Sequence, residues 1–346
     1  MVKDRQLLES FNRDLADLLP EGWSADLRAR QPGSRGDARL TLRGPGDASV
    51  IFDVEAKSRL EPSQIVLRSD LTRPVVVIAP VIGSRTREIL DRTGTSWCEP
   101  GGDCKIASGP LLIVRDRAGR PVLRAGDSGA VTRFIRNPFA GAALRIVRRL
   151  LIEPDRVWSV TNMSSATKVS IGFVSRVLAT LERDAYVVRR LGETRLKDFD
   201  DLLDAWVRSP QPAEVTVEGV SLAKPGEVLQ AIADLEQPGY ALTAEAAAEQ
   251  LAPFARFNRV ELYVNDFEPW QRALGLTPVP VGANVRLIRS EDKGVFDGTL
   301  SRRRLQVVSL PQLYVDLERR QGAGAEAAAF LRQRFDKLRR ELGPGR

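Results

Sequence analysis

The chain has 346 residues, is 43% hydrophobic and 28% charged, and carries a formal net charge of +7; this suffices for two or three packed domains and argues against disorder. It contains no histidine, which excludes Ser-His-Asp and Cys-His catalysis and His-ligated zinc, and leaves carboxylates, Lys, Tyr or an oxygen-held metal for any chemistry. Two cysteines (Cys98 and Cys104) at no zinc spacing, no bilayer-length apolar run, a charged start without an apolar stretch after it and no Gly-x-x-x-x-Gly-Lys loop predict a reduced, cytoplasmic protein, with no membrane segment and no P-loop ATPase.

The elements predict an α/β (α+β) multidomain chain. Residues 1–138 read as one α/β domain. Leu7, Leu8, Phe11, Leu15, Leu18 and Leu19 mark an amphipathic helix over Asp4–Leu19. Strands follow at Ala38–Leu42 and Ser49–Lys57, joined by the turn Gly44-Pro-Gly-Asp47, and Pro74–Ala79 is apolar enough for mid-sheet. A helix over Ser84–Arg92 and strands over Cys104–Ile106 and Leu111–Val114 complete the domain. Asp37 precedes the first strand of the hairpin, and alternation puts Asp53, Glu55 and Lys57 on one face of the second. This Asp, gap, Glu-x-Lys order resembles the active site of the PD-(D/E)xK nucleases, with Gly36 where their signature has Pro. The resemblance implies that Asp37 and Glu55 hold Mg²⁺ and Lys57 orients or activates water, with Glu9 and Gln64 as auxiliary candidates. A divalent ion on two carboxylates would polarise a phosphodiester. Glu-x-Lys on an alternating strand serves equally as a solvated face with a cross-strand ion pair.

Residues 139–208 read as a winged helix-turn-helix. Ala142–Ile152, a short stretch over Trp158–Thr167 and Val169–Arg183 are the three helices; Tyr186–Arg190 and Thr194–Lys197 form a basic hairpin about Gly192-Glu193. Residues 142–197 hold eleven Lys and Arg against five Asp and Glu, nearly the whole surplus of the chain, and phosphate contact needs such concentrated charge. Val174, Val177, Leu178 and Leu181 recur at helical spacing and face inward. Ser170, Gly172, Ser175, Arg176 and Thr180 are then expected to face DNA, together with Lys168 and the hairpin residues Arg189, Arg190, Arg195 and Lys197. Ser170 suits an N-cap that leaves backbone N–H groups for a phosphate. An ordinary helical subdomain with a solvated basic face, or a protein-interaction module, would share this pattern.

Residues 209–346 read as a second α/β domain, entered through Ser209-Pro-Gln-Pro212. Strands are expected at Val215–Val220, Arg259–Val264, Ala283–Ile288 and Leu305–Ser309, and helices at Thr243–Leu251, Leu310–Glu318 and Ala325–Leu342, the last closed by Gly343-Pro-Gly345. Tyr240–Ala248, Pro280–Leu287 and Val307–Leu317, with the central module, make residues 142–335 resemble the AbiEi family, antitoxin-repressors of type IV toxin–antitoxin systems. The resemblance implies a winged helix before an α/β domain related to nucleotidyltransferases. The Gly-Ser and paired-Asp motif of a working nucleotidyltransferase is missing, so the domain reads as a binding or assembly module. Asn284, Gln312, Tyr314 and Asp316 are its candidate polar residues, with capping and core satisfaction as their plain alternative.

The leading expectation is a sequence-specific regulator of double-stranded DNA, working as a homodimer with a small-molecule effector or a cognate toxin as further partner and without a cofactor. A Mg²⁺-dependent DNA endonuclease using Asp37, Glu55 and Lys57 is one alternative, and an antitoxin of a phage-defence system is another.

Overall fold

The computed structural model describes the chain apart from residues 1, 31–35, 47, 59, 61, 66–72, 110, 117–134, 136, 211–213, 236–238, 253–256, 280, 321 and 343–346. Asp47 of the first turn, Gln211 and Pro212 of the expected linker, Pro280 and the Gly343–Gly345 stop lie outside the described residues. Contacts divide the chain into two compact units: residues 1–136 with Ala179–Ala185, and Asn137–Leu178 with Tyr186–Arg346. The second therefore unites the central segment with the C-terminal one.

The first unit runs α1 (Val2–Leu18), β1 (Ser24–Ala29), β2 (Ala38–Arg43), β3 (Ser49–Ala56), β4 (Val75–Ile78), α2 (Ser84–Arg92), β5 (Ser96–Cys98), β6 (Cys104–Ser108) and β7 (Leu111–Arg115). The strands form one sheet in chain order. β1, β2 and β3 are an antiparallel meander, β3, β4 and β5 run parallel, and β6 and β7 return antiparallel. Period-two alternation gives the sheet two apolar faces. Leu7, Phe11 and Leu15 of α1 share a core with Phe52, Val54 and Val76. Val77 and Ala79 point into a smaller core with Leu90 of α2 and Trp97. Two strands, β1 and β5, are missing from the sequence reading. β1 is a mostly exposed edge strand without an apolar run, and β5 is only three residues long. Cys98 and Cys104 are free, buried and directly opposite across β5 and β6.

Residues 137–210 run α3 (Gly141–Ile152), β8 (Trp158–Ser159), α4 (Val160–Thr167), α5 (Ile171–Arg183), β9 (Val187–Arg190), β10 (Glu193–Leu196) and α6 (Phe199–Arg208); all belong to the second unit except the end of α5 from Ala179 on, which counts with the first. Trp158 and Ser159, read as helical, instead form a strand on β10, giving a three-stranded sheet in the order β8-β10-β9. Ser159 then caps α4, its hydroxyl accepting from Asn162 N at 3.0 Å. The hairpin turn is Leu191-Gly192, at φ 51° and 84°, so Glu193 belongs to the strand and not to the turn. Both residues are left-handed, as a two-residue hairpin turn requires, and glycine meets that at no steric cost.

There follow β11 (Glu214–Val220), α7 (Pro225–Asp234), β12 (Tyr240–Thr243), α8 (Ala244–Leu251), β13 (Val260–Val264), α9 (Phe267–Ala273), β14 (Thr277–Pro278), β15 (Val285–Ser290), a 3-10 turn (Lys293–Phe296), β16 (Leu300–Arg302), β17 (Leu305–Val307), α10 (Leu310–Glu318), α11 (Ala323–Gln333) and α12 (Phe335–Leu342). The mixed seven-stranded sheet has the order β14-β11-β15-β13-β12-β17-β16. Every residue of the central strand β13 is buried, so it is covered on both faces. The alanines of α8 allow close packing on α10 and α11. The single helix expected over 325–342 is broken at Arg334. There Phe335 turns inward to pack on Phe199 and Tyr314, and that burial outweighs helix continuity.

Candidate nucleic-acid interface and buried polar relay

The order α3-β8-α4-α5-β9-β10 gives the helix and the hairpin that carry the residues expected to meet DNA. On α5, Val174, Val177, Leu178 and Leu181 are all fully buried, as their spacing requires. Ser170 stands at the helix start, its carbonyl accepting from Phe173 N at 3.0 Å and Val174 N at 2.9 Å. Ser170 and Gly172 are exposed, and Ser175 and Arg176 are half-buried, with the Arg176 guanidinium 5.4 Å from the Phe173 ring. Thr180 corrects the sequence reading. It is fully buried, and its hydroxyl accepts from Ile135 N at 2.9 Å, so it presents nothing to DNA. Its position one residue before Leu181 put it at the margin of the buried stripe, where helical spacing alone does not decide.

Lys168 ends α4 in the left-handed conformation, φ 53° and ψ 37°, with its side chain exposed just ahead of Ser170. On the hairpin Arg190, Arg195 and Lys197 are exposed and Arg189 is half-buried. Arg195 lies 3.5 Å from Glu193, a solvated pair of little energetic consequence. Leu191, which the basic pattern did not flag, stands at the hairpin tip fully exposed.

In the first unit the Asp37 backbone N donates to Val54 O at 2.8 Å, and its Oδ2 accepts from Ala56 N at 2.8 Å. That bond fixes Asp37 beside the end of β3, where Glu55 and Lys57 emerge 3.9 Å apart. Gly36, at φ 78°, lets the chain turn into this position; a Cβ there would meet Val54 O at 3.1 Å. Asp53 is occupied elsewhere, buried against Arg30 at 2.6 Å. Glu9 pairs with Arg5 on the exposed side of α1, and Gln64 is exposed on a 3-10 turn, Pro62–Gln64. Among the described residues no group of three acids, cysteines or histidines is placed to hold a metal. Mg²⁺ keeps several of its waters and is commonly held by one or two carboxylates; Asp37 and Glu55 are the acids the sequence pattern singles out here.

The polar residues of the C-terminal sheet separate into two kinds. Asn284 staples a loop, its amide donating to Ser221 O and its carbonyl accepting from Ser221 N, both at 2.8 Å. Tyr314 donates to Glu318 at 3.0 Å; burial, reinforced by that carboxylate, pushes its phenol above the usual range. Gln312 and Asp316 belong to a relay. Arg148 of α3 donates through Nε to Gln312 Oε1 at 2.8 Å, and Gln312 Nε2 donates to Asp316 Oδ1 at 2.7 Å. Asp316 Oδ2 accepts from Thr243 Oγ1 at 2.6 Å, while Tyr263 OH donates to Glu214 at 3.0 Å beside it. Thr243 stands at the N-cap of α8 as expected, but its hydroxyl serves Asp316 rather than the helix. Burial raises the Asp316 carboxyl to about 6, against the lowering effect of Thr243 and Gln312.

Arg148 is also bound to Asp292 through Nη1 and Oδ2, and Arg145 donates to Asp292 Oδ1 at 2.6 Å. Burial alone would raise Asp292, but Arg148 and Arg145 hold it below the ordinary carboxylate value. This clamp escaped the sequence reading because Asp292 lies 144 positions from Arg148. One signal was available: Arg148 falls between Leu144 and Leu151 on the apolar face of α3, where an arginine must find an acid.

Residues 195–336 match a family model described as "Transcriptional regulator, AbiEi antitoxin, Type IV TA system". The match covers less than half of the chain, from the last hairpin strand to the start of α12. No curated protein and no solved structure matches the chain. Among the described residues no helix is long and apolar enough to cross a membrane.

Proposed function

We propose that the chain is a transcriptional regulator of the type IV antitoxin kind that binds double-stranded DNA through a winged helix formed by α3–α5 and the β8-β10-β9 sheet. One observation carries the reading: Lys168, Arg190, Arg195 and Lys197 are exposed around the start of α5 and along the hairpin, in the element order of a winged helix, and the antitoxin-regulator match begins in that hairpin. In this reading α5 enters the major groove, Ser170 and Gly172 bring its N-terminus to a phosphate, and Arg176 reaches a base edge or a phosphate. The hairpin cations follow the backbone. A homodimer doubles the few base pairs that one module covers, and a cognate toxin is the further partner that the family description suggests. The test is fluorescence anisotropy with duplex DNA from the region upstream of the gene against a scrambled duplex. Preference for the upstream duplex, with affinity falling steeply as salt rises, is expected. Equal, salt-independent binding would sink the proposal.

A second reading is favoured by the Asp37–Ala56 bond, which fixes Asp37 at the end of β3 near Glu55 and Lys57. The sheet around it, with an antiparallel meander leading into a parallel strand, is compatible with a PD-(D/E)xK fold. If Mg²⁺ binds, Asp37 and Glu55 hold it and the ion supplies Lewis-acid activation of a phosphodiester; Lys57 contributes a positive charge near the water to be activated. Supercoiled plasmid incubated with Mg²⁺ or Mn²⁺ decides. Cleavage lost in Glu55→Ala and Lys57→Ala would make the first unit a nuclease, and intact plasmid would leave it a platform.

A further inference from the structure

The second unit contains a cleft of about 760 Å³ between α7, β12, β17 and the 3-10 turn Lys293–Phe296. That size suits a small organic ligand. None of its lining residues belongs to α3–α5 or to the basic hairpin, so it is a separate site from the proposed DNA surface. Its chemistry is divided. Phe296 and the largely buried Tyr240 and Ile232 line it with apolar surface, while Lys293 and Arg304 bring positive charge and Asn265 an amide.

Three features mark the cleft as built. Lys293 is exposed and has no acidic partner among the described residues. Arg304 forms an exposed ion pair with Asp234 at 3.0 Å and sits in a turn where Arg303 and Arg304 take φ 51° and 65°. Such a turn ordinarily uses Asn or Gly, so two arginines there carry backbone strain, which collects at functional sites. Gly239, at φ 81°, leaves room for Asn265; a Cβ would meet the Asn265 amide nitrogen at 2.5 Å.

The cleft also adjoins the proposed DNA module. Asp292 caps the 3-10 turn, its Oδ1 accepting from Gly294 N at 3.0 Å, and the same carboxylate grips Arg145 and Arg148 of α3. A ligand held by Lys293 and Phe296 therefore bears on the turn that anchors the first helix of that module.

We propose that this cleft binds a phosphate-bearing aromatic ring of the nucleoside monophosphate class, and that its occupancy changes affinity for DNA through the Asp292 turn. The second clause rests on the DNA-binding reading; the first does not. Isothermal titration of the full chain with AMP, GMP and inorganic phosphate tests the site without DNA. Saturable binding of at least one nucleotide is expected, weakened about tenfold by Lys293→Ala and by Arg304→Ala, since each removes a charge-assisted contact. Both residues are exposed, so circular dichroism should show folded variants. Arg190→Ala should leave nucleotide affinity unchanged, which separates this site from the hairpin. No binding of either nucleotide at millimolar concentration overturns the proposal, as does inorganic phosphate binding equally well, because the apolar lining would then contribute nothing. Anisotropy with and without the bound nucleotide reads the linkage, which is reciprocal. An unchanged DNA dissociation constant refutes the coupling, whereas absence of any DNA binding refutes the regulator reading and leaves the titration standing.

Discussion

Replacing Asp292 with alanine isolates the energetics of the join between α3 and the C-terminal sheet. The Arg148 side chain is 3% exposed and that of Asp292 6%, so removing the carboxylate strands a guanidinium in the interior with Gln312 as its remaining hydrogen-bond partner. Breaking a buried pair by deleting one member costs about 3–5 kcal/mol. The lost cap on Gly294 adds about 1 kcal/mol, and Arg145, 26% exposed, adds little because water screens it. The expected loss of roughly 5 kcal/mol is a large part of the ~5–15 kcal/mol that holds a domain folded. Arg148 lies 5.4 Å from the Trp206 ring, so urea unfolding followed by tryptophan fluorescence reports the region. Arg148→Met should cost less, since it removes the buried cation and leaves Asp292 with Arg145. The double variant should then be more stable than the two single losses added, by about 2 kcal/mol. Gly294→Ala tests the packing, because its Cβ would stand 2.7 Å from Arg145 Cγ and 2.8 Å from Arg148 Nη1; about 1–3 kcal/mol of overpacking is expected. The pH dependence has a fixed sign. Asp292 is held below its unfolded value, so the clamp stabilises fully above the unfolded pKa of about 4 and weakens as pH falls through the lower folded value. A loss below about 1 kcal/mol for Asp292→Ala, with additive energies in the double variant, would refute the argument.

Asp316 should behave oppositely. Its folded value of about 6 exceeds the unfolded one, so its neutral form favours folding and its contribution declines as pH rises from about 4 to about 6. Asp316→Asn can keep both contacts, accepting from Gln312 and donating to Thr243 Oγ. It should stabilise the protein at pH 7 by up to roughly 3 kcal/mol, on the order of two pKa units, and remove that pH slope in urea titrations; unchanged stability and slope would contradict the assignment. Arg190→Ala and Lys197→Ala should each lower the slope of log affinity against log salt by about 1 if they touch phosphate, and unaltered slopes would remove the hairpin from the interface. Asp37→Ala should destabilise the first unit by about 1–2 kcal/mol through the orphaned Ala56 N–H, measured by chemical denaturation without metal; no loss would mean that the Asp37 bond holds nothing.

Local periodicity made several elements readable. The α1 stripe, the apolar run of β4, the alternation in β3 and the 174-177-178-181 spacing of α5 each depend on residues close in sequence, and their buried faces lie where those patterns put them. Trp158-Ser159 was misread because two residues carry no period; pairing with Thr194 and Glu193 of β10, distant in sequence, makes them a strand. Thr180 was misplaced because spacing defines a stripe but not its edge. Asp37 and Glu55-x-Lys57 were legible as a motif, but the hydrogen bond that brings Asp37 to the end of β3 was not.

What the sequence determined was charge, the absence of histidine and the faces of its helices and strands, because these are properties of single residues and of spacings within a few turns. The tertiary structure alone decided which buried polar groups meet. Arg148 lies 144 positions from Asp292 and 164 from Gln312, and desolvation makes each dependent on a partner that only folding supplies.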